Sequence, residues 1–181
     1  ALGSITPLRS TVVATSMASI SVGILPVVVT MLADSTFTVN AGVMLSTMAV
    51  GALIGSLGYA AKPFGTKRPH VMLPYVSLLT AVPLAIMIGV QSTVVALGLF
   101  MLAGILAGPQ GTAQFSVRDR FSPPNVRTQV FTLSTSLKTT FSALGAALAG
   151  LASGASPQVL LAIAVSCTVT GGLVALLDLG K

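Results

Sequence analysis

Lys138 is the residue best placed to do chemistry, because it stands about a dozen residues inside a hydroxyl-rich apolar run near 126–151. A charge at the centre of a membrane helix costs on the order of 2.5–3.5 kcal/mol on insertion scales, so something must offset it. Ser134, Thr135 and Ser142 lie three or four residues away, which puts them beside Lys138 on a helix surface. In a cavity this ammonium would attract an anionic cargo or alternate its charge during coupling. The competing reading has the butyl stem carry the charge toward the membrane surface or to a helix-end carbonyl. Intramembrane ionisable groups are functional by default, which favours the cavity. Ser16 and Ser19 in the first apolar run and Gln110 in the fourth are further candidates for cavity-lining groups.

Other reactive residue types are scarce. Cys167 is the single cysteine and lies in an apolar segment, so neither a disulfide framework nor a thiolate metal site is available. The single histidine, His70, falls in a basic loop, where a lone histidine is more often a solvated group than a ligand or base. Asp34, Asp119 and Asp178 all fall at or beyond the ends of apolar runs, so no carboxylate relay can be built here. An intramembrane enzyme needs a nucleophile with a base, or a metal cluster, at bilayer depth. No enzyme activity, metal or cofactor is therefore expected.

Composition sets the medium in which these groups sit. Of the 181 residues 54% are hydrophobic and only 7% charged, with mean hydropathy +0.98, whereas a soluble domain carries about 25% charged residues. Lipid must replace water around most of such a chain. The net charge of +6 does not indicate nucleic acid, which needs basic residues clustered on one face with aromatics among them. The first nine residues lack the ordered basic start, apolar middle and cleavage site of a secretory signal, and a start at Ala1 is expected of a fragment.

Six apolar segments, at about 10–33, 40–61, 71–90, 92–114, 126–151 and 157–177, are each near the twenty residues needed to cross about 30 Å of hydrocarbon. The expectation is an all-α bundle of six transmembrane helices in a single domain, 1–181. Arg9, then Lys62, Lys67 and Arg68, then Arg118, Arg120 and Arg127, then Lys181 all fall on one side of such a bundle. Basic loops stay cytoplasmic, so a multi-pass protein of the cell (inner) membrane with both termini cytoplasmic is expected. Hydroxyls crowd helix one (Thr11, Thr15, Ser16, Ser19, Ser21) and helix five, which must be buried or line water. Helix three and the second half of helix six read as lipid-facing walls, giving an inner and an outer set. Gly51-xxx-Gly55, Gly104-xxx-Gly108 and Gly150-xxx-Gly154 suit close helix packing. Pro26, Pro74, Pro83 and Pro109 should kink their helices. Gly108-Pro109 beside Gln110, Thr112 and Gln114 suits a hinge with polar groups near the cytoplasmic mouth.

Three stretches together resemble the second six-helix half of a major facilitator superfamily transporter. Gly58-Tyr59-Ala60-Ala61-Lys62-Pro63-Phe64-Gly65-Thr66-Lys67-Arg68 is similar to that family's cytoplasmic loop motif. Gly58, Gly65 and the final base match it. Lys62, Pro63 and Thr66 stand where an acid and two bases are expected, and Lys67-Arg68 close the motif. Gly108-Pro109 with Phe115 to Phe131 resembles the helix ten to eleven region of bacterial efflux-type members, and Leu144 to Gly150 resembles their small-residue eleventh helix. The resemblance implies two three-helix repeats and a partner, the N-terminal half of the same transporter. Cargo would sit near the midplane between the halves, and any proton-coupling acid would belong to the other half. The function so implied is secondary transport of small solutes by alternating access, with efflux the direction that the resemblance implies. A non-transporting scaffold or assembly subunit is the alternative, and polarity inside helices one and five favours transport.

Overall fold

With no water in the hydrocarbon to bond a bare peptide group, every backbone N–H and C=O must find its partner within the chain. The computed structural model, which describes residues 6–62, 69–122 and 127–179, is accordingly helical throughout: α1 (Thr6–Ser35), α2 (Ala41–Ala61), α3 (Pro69–Ile86), α4 (Thr93–Phe121), α5 (Arg127–Leu151) and α6 (Pro157–Leu179). Among the described residues five stretches are long and apolar enough to cross a membrane: Thr15–Ser35, Ala41–Ala61, Met72–Gly89, Thr93–Ser116 and Pro157–Leu177. They mark a multi-pass membrane protein. Helix α5 is the exception, because its hydroxyls dilute its apolar content.

Several boundaries differ from the sequence expectation, α1 beginning at Thr6 and so taking in Arg9, and two of the differences have a clear physical reason. Helix α3 stops at Ile86 and tightens into a 3₁₀ turn over Met87–Gly89, the usual finish where a helix runs out of i−4 partners near a glycine. Helix α4 runs on to Phe121, so the backbones of Arg118 and Arg120 are helical and not part of a loop. Charge there marks where the helix leaves the hydrocarbon, not where it ends.

Each helix has few main neighbours. Helix α1 packs along α5 and α6, α3 packs on α6 and α4, and α4 packs along α2. The bundle is thus a curved row in the order α5, α1, α6, α3, α4, α2, with lighter contacts from α1 to α2 and α4, and from α4 to α5. The expected inner position of α5 is corrected: it stands at one edge of the row, as α2 does at the other. Helix α3 lies between α4 and α6, burying Leu73, Val76, Ser77 and Thr80 while it presents Tyr75, Leu79, Val82 and Ile86 outward.

Glycine decides how closely the rows approach. A Cβ on Gly51 or Gly55 would strike the α4 backbone at Met101 and Ile105, and one on Gly104 or Gly108 would strike α2 at Met48, Ala52 and Ser56. The two helices run parallel and touch main chain to main chain over two turns. Pro109 supplies no N–H to the Ile105 carbonyl, and it is this freed oxygen that Gly55 covers. At the α1–α5 crossing Gly23 meets the Ser142 carbonyl and Gly145 meets that of Ile20. Gly150 and Gly154 have open space instead, so the third expected glycine pair packs against nothing among the described residues.

The apolar core is uneven along the membrane axis. Ile24, Val28, Val29, Leu32, Met44, Met87, Phe100, Leu161 and their neighbours form one large cluster at the end remote from the basic residues. Thr38 ties this end together, its amide donating to Thr93 Oγ1 at 3.4 Å across to the start of α4. At the basic end the cluster is small, Tyr59, Met72, Leu73, Val76 and Ala113, and it lies on the α2–α3–α4 side. The α1–α5 side of that end carries polar groups.

Candidate functional site

Lys138 lies eleven residues into α5, about 16 Å at 1.5 Å per residue, while Gln114 lies seven residues, about 10 Å, from the end of the antiparallel α4. The difference in depth is spanned by the lysine stem, which leans back toward the α5 N-terminus as helical side chains do. Its Nζ donates to Gln114 Oε1 at 3.5 Å. Lys138 is half-buried, and Gln114 is buried at 7% exposure. The ammonium therefore leans toward the basic end yet ends on a buried amide between helices.

Ser134, one turn before Lys138 on the same face, is 2% exposed and its hydroxyl has no hydrogen-bond partner among the described residues. One turn deeper on α4, Gln110 Nε2 donates to Ser77 Oγ on α3 at 2.6 Å. Ser77, Gln110, Gln114, Lys138 and Ser134 thus form a polar line from α3 across α4 to α5. Two further contacts join α4 to α5 between this line and the basic end. Phe115 and Phe131 stack with centroids 6.2 Å apart, and Arg127 pairs with Asp119 at 3.1 Å, with both side chains about half exposed.

The remaining expected site residues are distributed differently. Thr135 is exposed and lines an outward hollow of about 510 Å³ with Ser136, Thr139, Thr140 and Ala143. Ser142 is half-buried at the α1 crossing. Ser16 and Ser19 are buried in α1, and Ser19 spends its hydroxyl on the Thr15 carbonyl at 2.6 Å. Gly58 sits in the last turn of α2 with open space around it and accepts the Lys62 amide. Gly65, Lys67 and Arg68 of the loop motif lie outside the described residues. Gln114 and Ser77 are the partners that sequence reasoning left out of the site; the signal was the i, i+4 spacing of Gln110 and Gln114, which gives α4 an amide-bearing stripe.

A second hollow, of about 500 Å³, lies on α2 and is lined by Asn40, Gly42, Val43, Ser46, Thr47 and Val50. Five of these positions precede the five of the α5 hollow by the same interval of 93 residues. Two edge helices thus present equivalent register positions outward, one rich in hydroxyls along its length: Thr128, Thr132, Thr135, Ser136, Thr139 and Thr140 are all exposed. Among the described residues no group of three or more His, Cys, Asp or Glu side chains could hold a metal ion. Compared with known proteins, the chain matches no family model, no curated protein and no solved structure.

Proposed function

We propose that this chain is the carboxy-terminal, six-helix half of a secondary transporter of the major facilitator type, moving small solutes by alternating access, in the efflux direction by resemblance. The observation that carries this reading is the exposed hydroxyl face of α5, where Thr128, Thr132, Thr135, Ser136, Thr139 and Thr140 are more numerous than the exposed hydroxyls of any other described helix. Hydroxyls facing hydrocarbon are costly unless they bond elsewhere. Thr139 and Thr140 do bond back to the Thr135 and Ser136 carbonyls, at 3.0 and 2.9 Å, but a face this polar is suited to water or to a second bundle.

The packing supports two three-helix repeats. When α1, α2 and α3 are exchanged for α4, α5 and α6, the main neighbours map onto themselves: α1–α5 becomes α4–α2, α1–α6 becomes α4–α3, and α3–α6 is unchanged. The two backbone-touching glycine seams exchange with each other, and so do the two hollows 93 residues apart. Inverted repeats of this kind place cargo and coupling sites near the midplane, at the interface between repeats. In this reading the basic end is cytoplasmic, the partner is the N-terminal half, and the polar line at Lys138 faces the cavity between halves.

The test is solute flux in proteoliposomes. The chain alone should give none, because half the cavity wall is absent, and flux should return when the complementary bundle is supplied. Lys138→Ala and Lys138→Met should abolish or redirect that flux with expression largely intact, since removing an intramembrane charge relieves an insertion cost. Robust flux by the chain as a monomer would refute the half-transporter assignment.

A further inference from the structure

We infer that the end of the bundle remote from the basic residues carries a binding site for a neutral polyhydroxylated group, such as a monosaccharide ring, and this site does not depend on the transporter reading. A cavity of about 460 Å³ opens there, lined by Ser35 and Thr36 at the close of α1, by the 88–90 turn and by Gln91 and Gln158. Its size is that of a small-ligand site. The hollows on α2 and α5 each lie along one helix, whereas this cavity is walled by three separate parts of the chain. Its floor is anchored, because Ile88 and Val90 pack against the large apolar cluster and the Val90 amide closes the 3₁₀ turn by donating to the Met87 carbonyl at 3.2 Å. Walls held in this way need little ordering when a ligand arrives.

The lining specifies the ligand. None of its residues is ionisable, so an ion would shed water here without meeting a counter-charge. The cavity lies between the C-terminus of α1, which ends in carbonyl acceptors, and the N-terminus of α6, which begins in amide donors. Their partial charges are opposite in sign and offset each other. Ser35 spends its one proton on the Met31 carbonyl at 2.7 Å, so in its 3.2 Å contact with Thr36 the threonine hydroxyl is the donor. Both protons are thus committed, and the α1 wall presents lone pairs only. Among the described residues no turn or loop bond takes the carbonyls of the 88–90 turn, which are further acceptors. Gln91 is exposed and Gln158 half-buried, so each carboxamide is open to a ligand with two N–H donors and an acceptor oxygen. A hydroxyl both donates and accepts, so a polyol serves every wall, while an ether offers nothing to α1. Ile88 and Val90 give the floor an apolar patch for the C–H face of a sugar ring. At this end of the bundle the ring can come from a free sugar or from a glycolipid headgroup.

Methyl glucoside, its fully O-methylated ether, glucuronate and glucosamine share a ring and differ in donors or charge. Saturation-transfer NMR titrations of each against the full chain in phosphatidylcholine nanodiscs test the site, in mildly acidic buffer where the amine is protonated and the acid ionised. Methyl glucoside should bind at least about fivefold more tightly than any of the other three. Gln91→Leu and Gln158→Leu should each weaken it by about three- to tenfold with the thermal midpoint unchanged, since both amides are open to solvent. Gln158→Glu, which keeps the shape and adds a negative charge, should move the preference to glucosamine, a change that a merely structural Gln158 would not produce. Monoglucosyl diacylglycerol built into the nanodisc identifies the source of the ring: loss of methyl glucoside binding assigns the site to a lipid headgroup, and undiminished binding assigns it to a free solute. No methyl glucoside binding by the parent chain, equal binding of the ether or of either charged sugar, or indifference to both leucine variants overturns the inference. Solute flux is a separate measurement, so the transporter assignment stands or falls without this site.

Discussion

Gly55→Ala inserts one carbon where α2 and α4 touch backbone to backbone. That carbon would fall on the Ile105 carbonyl oxygen, with the carbonyl carbon at 2.7 Å and Cα at 2.9 Å. Carbon atoms pack best at about 3.5–4.0 Å, so the helices must part by about an ångström, and no rotamer change can clear a main-chain obstacle. Overpacking of this kind costs about 1–3 kcal/mol. Parting the seam also loosens Gly51 against Met101 and Gly104 against Met48. Alanine returns about 0.5–1 kcal/mol of helix propensity, which leaves a net loss on the order of 0–2.5 kcal/mol. For a chain of this size, 1 kcal/mol moves the midpoint by about 2–4 °C, so Gly55→Ala should lower it by up to roughly 10 °C. Gly98→Ala, on α4 with open space around it, keeps only the propensity gain and should raise the midpoint by about 1–4 °C. The single cysteine, Cys167, is half-buried in α6, so a thiol-reactive fluorophore reads thermal unfolding in detergent without further engineering. Should Gly55→Ala melt as high as Gly98→Ala, the seam is not in contact and the packing argument is wrong.

Alanine at Gly150 or Gly154, where nothing lies within 4 Å, should leave the same midpoint unchanged or slightly higher; a drop like that of Gly55→Ala would restore the discarded glycine pair. A double-mutant cycle on Phe115 and Phe131 to leucine should give a coupling of about 0.5–1.5 kcal/mol from the stack at 6.2 Å, and zero coupling would mean α4 and α5 are held only by their ends. Asp119→Asn should cost under about 1 kcal/mol and less in high salt, because the ion pair with Arg127 is exposed. Reporters fused at Lys67 and Arg120 should stay cytoplasmic while those at Ser35 and Ser153 are exported, and an exported signal at Lys67 would invert the orientation.

The all-helical, membrane-spanning character of the chain and the rough extent of its helices were legible in the sequence because apolar run length and charge placement are local quantities. Helix ends were less so: Arg118 and Arg120 look like loop by charge, yet α4 continues through them, since a helix can leave hydrocarbon without unwinding. The position of α5 was misjudged for a different reason. Its hydroxyls require a polar surrounding, but sequence cannot say whether that is the bundle's own interior or its edge. Gly51, Gly55, Gly104 and Gly108 announced their seam by spacing, whereas Gly23 and Gly145 are single glycines on two helices and meet only in three dimensions. The bond from Lys138 to Gln114 spans 24 residues, and only the lysine stood out by type.

Helix α5 alone falls short of the apolar content that lets a segment cross by itself, and this has a consequence for how the protein is made. A nascent segment leaving the ribosome enters lipid sideways according to its own hydropathy. In the six-span reading proposed above, helix α5 waits in the protein-conducting channel for company. It emerges long after α1, its principal neighbour, and immediately before the strongly apolar α6. The short 152–156 connection lets α5 and α6 partition as one helical hairpin onto an α1 already in place. In that reading, order of synthesis is part of what makes the fold reachable: the same six helices, permuted so that α5 came first, would present the channel with a segment that has nothing to lean on.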